Sequence, residues 1–367
     1  MLLGDVARGR DNNFNLIRMI AATGVLVSHA LPIALGTGTP QPLEAQTGYT
    51  LGWICVAIFF AISGFLITAS FERRKEVESF VSARIARLFP ALIVVTVLTA
   101  FLYGPAFTTL GLAAYFSDIG TWTYVPRNVS LAMLQYGLPG VFSHLPYPVA
   151  INGSLWTLVH EVTCYIGVLL AGLAGLLASR RSLATVLILY LVVFFVTGLD
   201  QFAPLLPERL QGLRLLSFPF AAGTAFFVWR DRIVLSWLVA IGLGLLAWLV
   251  RGTPLYEAVF LTFIAYTTFV VAYRPSGWLR QYNRLGDYSY GMYVYAFPVQ
   301  QAAVALAGPM TPATNIAISL PVTLAFAVAS WYLVEEPALA RRHRLTQWLE
   351  TATRLWPIGR KAEGAES

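Results

Sequence analysis

Long apolar runs alternate along this chain with short polar connectors that carry arginine. A run of about 20 apolar residues is enough to cross the hydrocarbon core of a bilayer. Ten runs reach or approach that length: 15–35, 51–70, 88–107, 152–178, 182–199, 213–229, 233–250, 255–273, 288–307 and 313–334. The pattern predicts an all-α, polytopic membrane bundle of about ten transmembrane helices. The sixth and seventh are short and tightly joined at Trp229–Ile233. The apolar stretch 108–117 reads either as a surface helix or as an extension of the third span.

Composition agrees with that pattern. The 367 residues are 57% hydrophobic and only 12% charged, about half the charge of an ordinary soluble domain, so lipid is needed to cover the apolar surface. Cys55 and Cys164 both fall inside apolar runs. That excludes a disulfide framework and a cysteine-based metal site, and no metal is expected. The first run has no cleavage pattern ahead of it and is long enough to span, so it reads as a retained helix.

Positive charge sets the orientation, because basic residues concentrate in cytoplasmic connectors. Of the 25 Lys and Arg, 20 fall in one alternating set of tails and connectors, at 8–10, 73–87, 180–181, 230–232, 274–284 and 341–361. The other set holds Arg127, Arg209, Arg214 and Arg251. This split predicts that both termini are cytoplasmic, in a multi-pass plasma-membrane (inner-membrane) protein. It also accounts for the net charge of +7 through anionic lipid, without nucleic acid. One membrane domain over 1–340 is expected, followed by a basic cytoplasmic tail, 341–367, partly disordered and polar after Trp356. The longest external loop, about 118–150, carries Trp122, Tyr124, Tyr136 and Tyr147. These aromatics fit either sugar stacking or an interfacial belt.

Two ionisable residues in the first run matter most. Arg18 and His29 are eleven residues apart, which returns them to one helix face, roughly 16 Å apart along the axis. Ionisable side chains at membrane depth are costly and point to function. A neutral imidazole can take a proton from a hydroxyl and return it to a leaving group. Arg84 and Arg87 share a face as the chain enters the third span, with Pro90 expected in that helix's first turn. Together with Arg18 they suit a phosphate at the cytoplasmic mouth. In the fourth span Ser154, Thr157, Glu161 and Tyr165 form one stripe. Glu161 is expected within about two turns of His29's depth, where a carboxylate would orient the imidazole; His160 reads as structural. Glu335 or Glu336 is expected to pair with Arg84 or Arg87, with Pro337 ending the last span. Asp287 is expected to cap the ninth span. Gly64 permits close backbone approach, and no base can be placed beside Ser63 from sequence.

The chain resembles the acyltransferase-3 family of integral membrane acyltransferases. The match runs through Arg18-x10-His29, Phe59-Phe60-x-x-Ser63-Gly64-Phe65-Leu66 and Arg84-x-x-Arg87-x-x-Pro90. It continues in Asn152-Gly153-Ser154-Leu155-Trp156-Thr157-x-x-x-Glu161, Gly286-Asp287-Tyr288-Ser289-Tyr290-Gly291 and Glu335-Glu336-Pro337. The resemblance implies a ten-span core that moves an acyl group, often acetyl, from cytoplasmic acyl-CoA to a hydroxyl of an extracytoplasmic glycan or lipid-linked sugar. It implies a catalytic His29 and a donor-handling role for Arg18, Arg84 and Arg87. Some relatives carry a histidine before the Phe-Pro of the ninth span, where this chain has Tyr295-Ala296-Phe297-Pro298. The expected enzyme is thus an acyl-CoA-dependent O-acyltransferase, with acyl-CoA as co-substrate rather than bound cofactor. The rivals are a secondary transporter or glycan exporter, whose intramembrane Arg, His and Glu would form a relay, and a non-catalytic subunit of a polysaccharide synthase.

Overall fold

The computed structural model describes residues 1–355 apart from 8, 10, 75, 149 and 200. Helices stand at all ten predicted places: α1 (Phe14–Leu35), α2 (Leu51–Arg74), α3 (Val77–Leu98), α4 (Trp156–Leu173), α5 (Arg180–Thr197), α6 (Glu208–Val228), α7 (Trp237–Leu249), α8 (Tyr256–Tyr273), α9 (Ser289–Ala307) and α10 (Pro312–Ser330). Among the described residues there are no strands beyond two isolated bridges. Seven helices are long and apolar enough to cross a membrane: α1 to α5, α8 and α10. The 13 residues of α7 reach only about 20 Å at 1.5 Å each. Helix α9 is less apolar for a different reason. Every residue from Ser289 to Val304 is buried, so its tyrosines and glutamines face protein, not lipid.

The helices close on one another through small residues and interhelical hydrogen bonds, the means available where lipid is as apolar as the side chains. At the α2–α6 crossing, a Cβ on Gly64 would lie 2.0 Å from the Phe220 carbonyl oxygen, and one on Gly223 2.1 Å from that of Ala61. Only glycine lets the backbones meet there. Beside it, Thr68 Oγ1 donates to the Gly64 carbonyl at 2.8 Å and lies 3.1 Å from Thr224 Oγ1. A second clasp ties α9 to its neighbours. The Gln300 amide donates to the Leu26 carbonyl of α1 (2.9 Å) and to Asn315 Oδ1 of α10 (3.0 Å), and Asn315 Nδ2 donates back to the Gln300 carbonyl at 3.1 Å. Helix α5 lies outside, with Ile188, Leu189, Val192 and Val193 exposed, as a lipid-facing surface requires.

Several boundaries differ from expectation. Helix α3 begins at Val77, so Pro90 lies in its interior and not in its first turn. The polar early turns carry Phe80, Ala83 and Ala86 inward, and a search for uninterrupted apolar runs passes over such a helix start. At its other end α3 runs through a π-turn, Thr99–Tyr103, to Phe107, and a short separate helix follows at Leu112–Ser117. Pro337 does not end α10: a π-turn over Trp331–Glu335 leads into Glu336–Ala340, where Pro337 occupies a first-turn position that needs no amide donor. The basic tail includes a helix, Arg342–Leu355, packed on α3, where Ser82 Oγ and Thr346 Oγ1 lie 2.6 Å apart. The polar stretch after Trp356, and Arg8, Arg10, Lys75, Arg360 and Lys361 of the basic set, lie outside the described residues.

Candidate active site

Two cavities open toward opposite ends of the bundle. The first, of 330 Å³, is lined by arginine: Arg18 from α1, Arg73 from α2, Arg84 and Arg87 from α3, and Arg342 from the following helix. The i,i+3 spacing places Arg84 and Arg87 on one face of α3, and both reach this cavity together with Glu161 of α4. Four of the five site residues expected from sequence therefore converge here.

A carboxylate holds two of the guanidiniums in place. Asp287 Oδ2 accepts from Arg18 Nη1 at 3.2 Å and from Arg87 Nη2 at 2.7 Å, and its Oδ1 accepts from Ser289 Oγ at 2.5 Å. Asp287 therefore does more than the capping its position suggested: while meeting Ser289 at the start of α9, it links α1 and α3. Burial alone would raise its pKa, but the Arg87 and Arg18 guanidiniums outweigh that and hold the carboxyl below its ordinary 3.8. Arg87 Nη1 also donates to Glu335 Oε2 at 3.3 Å, the pairing expected of the closing Glu-Glu-Pro. The π-turn at Trp331–Glu335 turns that carboxylate inward, where its side chain is 1% exposed and accepts from Ser330 Oγ at 2.9 Å. Such single π-turns are common at functional sites.

Glu161 stands at the inner wall of the same cavity. Its Oε1 accepts from Ser63 Oγ at 3.3 Å and from the Tyr165 hydroxyl in a short contact. Thr157, Glu161 and Tyr165 do form one stripe facing this cavity. The partner of Ser63, which sequence left open, is this carboxylate.

His29 is in the second cavity, of 750 Å³, with Tyr136, Tyr147, Trp156 and Phe297 among its walls. Its ring packs edge-on to Phe297, with centroids 5.2 Å apart. Its Nδ1 is buried and has no hydrogen-bond partner within the protein among the described residues. The expected contact between His29 and Glu161 is not how the structure arranges them: the carboxylate serves the arginine-lined cavity and the imidazole the aromatic one. His160 packs against Trp156 with centroids 5.4 Å apart, off both cavities.

The partition between the cavities is thin. On α4, Trp156 and Gly153 just ahead of it line the aromatic side, while Thr157 and Leu158 line the arginine side. The Tyr293 hydroxyl closes the layer, 2.6 Å from Thr157 Oγ1 and donating to the Ser154 carbonyl at 2.9 Å. Asn152 donates its amide to the Val294 carbonyl at 2.9 Å. Trp156 remains at the aromatic wall.

Sequence reasoning missed the loop 37–45, which walls the aromatic cavity with Thr37, Gln41 and Glu44. Gln41 Oε1 accepts from Ser28 Oγ at 2.6 Å, tying the loop to α1 beside His29. The available signal was its position: a Gly/Pro/Thr-rich connector starting seven residues after the histidine, turned by Gly36 and Gly38 at positive φ.

Comparisons with known proteins identify the family. A family model described as an acyltransferase domain matches residues 11–333. An "O-acetyl transferase" of Shigella phage Sf6 is 32% identical over 343 residues, which is 90% of this chain and 97% of that protein. "Nodulation protein 10" of Rhizobium leguminosarum bv. viciae is 27% identical over 370 residues, 92% of this chain and 95% of that protein. No solved structure matches the chain. A multi-pass helical chain matched over nearly its whole length by the same family model thus belongs to the acyltransferase-3 family, and is an acyltransferase.

Proposed function

We propose that this protein carries an acyl group, acetyl by preference, from a cytoplasmic acyl-CoA to a hydroxyl of an extracytoplasmic glycan or lipid-linked sugar. In this reading all ten helices cross the plasma membrane, the short α7 where the bilayer thins around it, both termini are inside, and the arginine-lined cavity opens to the cytoplasm. The observation that carries the proposal is the position of His29. It faces an aromatic cavity at one end of α1, while Arg18 on the same helix faces a cavity built for an anion at the other.

Arg18, Arg84 and Arg87 hold the phosphates of the donor, since a guanidinium is a planar, permanently charged fork of donors. The pantetheine arm extends past Ser63 and Glu161 toward the layer closed by Tyr293. The acceptor sugar enters from the aromatic side. His29 takes the hydroxyl proton as that oxygen attacks the thioester carbonyl. The C–S bond breaks, and the proton passes from imidazolium to the leaving thiolate, giving ester and free CoA. Glu161, held by Ser63 and Tyr165, shapes the donor end of this path instead of orienting the imidazole. Tyr293 must swing off Thr157 for the thioester to reach His29. The O-acetyl transferase name of the phage relative favours acetyl and an oxygen acceptor.

His29→Ala is expected to insert normally and to lose about 100-fold or more of acyl transfer, the usual worth of a general base. The assay is transfer of label from radioactive acetyl-CoA to glycan in inverted vesicles. Full activity in the variant would reject the mechanism, and glycan movement without label would point to transport.

A further inference from the structure

The two cavities differ sharply in charge. Five arginines line the donor side. Among the described residues, the aromatic cavity has no Lys or Arg in its lining, and Glu44 is its one carboxylate. Arg251 comes near the same loop, but its Nη2 donates to the Ala45 carbonyl at 2.9 Å and the residue is not part of the wall. The rest of the surface consists of aromatic faces and uncharged hydrogen-bonding groups. Resting on the reading above, we infer that the sugar residue that takes the acyl group carries no negative charge: it is a neutral or amino sugar, and uronic, sialic or phosphorylated residues are excluded from that position.

An anion withdrawn from water needs a partner charge or a set of convergent donors. The wall supplies no partner charge, and Glu44 at the rim repels a second carboxylate. A neutral pyranose needs no such partner. Its C–H faces pack on Tyr147, Trp156 and Phe297, and its hydroxyls meet His29 and Gln41. The same side has room for more than one residue. Tyr136 and Trp156 also border an adjoining cavity of 580 Å³, so a linked sugar can lie across them. A cationic amino sugar would find Glu44 favourable.

The test compares the surface polysaccharide of the producing cell with that of a strain lacking this protein, by NMR. The ester that disappears is expected on a neutral or amino sugar. An ester on a carboxylate- or phosphate-bearing residue would overturn the inference. No difference in esters would reject the acyl-transfer reading itself, and the inference with it. A second arm uses the unesterified polysaccharide and the same polymer with its primary hydroxyls oxidised to carboxylates. Both are offered with radiolabelled acetyl-CoA to the native protein, Glu44→Gln and Glu44→Lys. The oxidised polymer is expected to react at least tenfold more slowly with the native protein. Its rate relative to the neutral polymer should rise several-fold from native to Gln to Lys. An unchanged ratio across the three would show that charge does not select the acceptor.

Discussion

At the scale of single residues, Asp287 sets the geometry of the arginine cavity. Two guanidiniums from different helices would repel one another, and one shared carboxylate oxygen holds both. Breaking a largely buried ion pair by removing one partner costs about 3–5 kcal/mol. Asp287→Asn is therefore expected to lower the melting temperature in detergent and to weaken CoA binding, measured by titration with CoA; Asp287→Glu should recover part of both. The pH dependence has a definite sign. Because the carboxyl is held below its ordinary 3.8, its contribution is complete above that value. It is lost as pH falls through the depressed pKa. The arginines, Glu161 and His29 were legible in the sequence because charge at membrane depth has few explanations. Of their partners, only the closing Glu335 for Arg87 was. Sequence gives the depth of a side chain to within a turn, but the direction it faces depends on how each helix is rotated against the others. Glu161 and His29, expected within about two turns in depth, serve different cavities. Asp287 looked only like a cap because caps are local, and beside Ser289 two residues on, its carboxylate takes partners 269 and 200 residues away.

At the scale of elements, apolar run length located all ten helices but misjudged their ends. The start of α3 turns its polar residues onto the cavity and the C-terminal helix, and the continuation of α10 passes through a π-turn, so neither boundary coincides with a change in hydrophobicity. Gly64 was legible as a close approach, and its counterpart Gly223 was not, because only the assembled crossing shows which glycine meets which helix. A side chain at Gly64 must push α6 away from α2. Gly64→Val is expected to cost about 1–3 kcal/mol, the usual penalty of overpacking, read as a lower midpoint in thermal unfolding and a lower yield of monodisperse protein. Ser63 is the neighbour of Gly64 on α2 and donates to Glu161 of α4, so acyl transfer should fall along with stability.

At the scale of the whole molecule, charge and burial tell one story. The basic connectors gather where the arginine cavity opens, and the least polar helix faces gather on the outside. The proposed topology has a direct check. Cysteine placed at Ala45 should react with a membrane-impermeant maleimide added to intact spheroplasts, and cysteine placed at Ala340 only after the membrane is broken. Native Cys55 and Cys164 are buried and should stay unlabelled in both. The reverse pattern would invert the proposed orientation.

The hydroxyl of Tyr293, resting on Thr157 and the Ser154 carbonyl, has a role that chemistry alone does not describe. In the proposed orientation, recesses open to both sides of the bilayer bring the cell's voltage and proton gradient onto the layer that Tyr293 closes. On that proposal every turnover must breach the layer for the acyl group without short-circuiting the membrane, so the thioester arm of the donor would itself act as the stopper while the tyrosine stands aside.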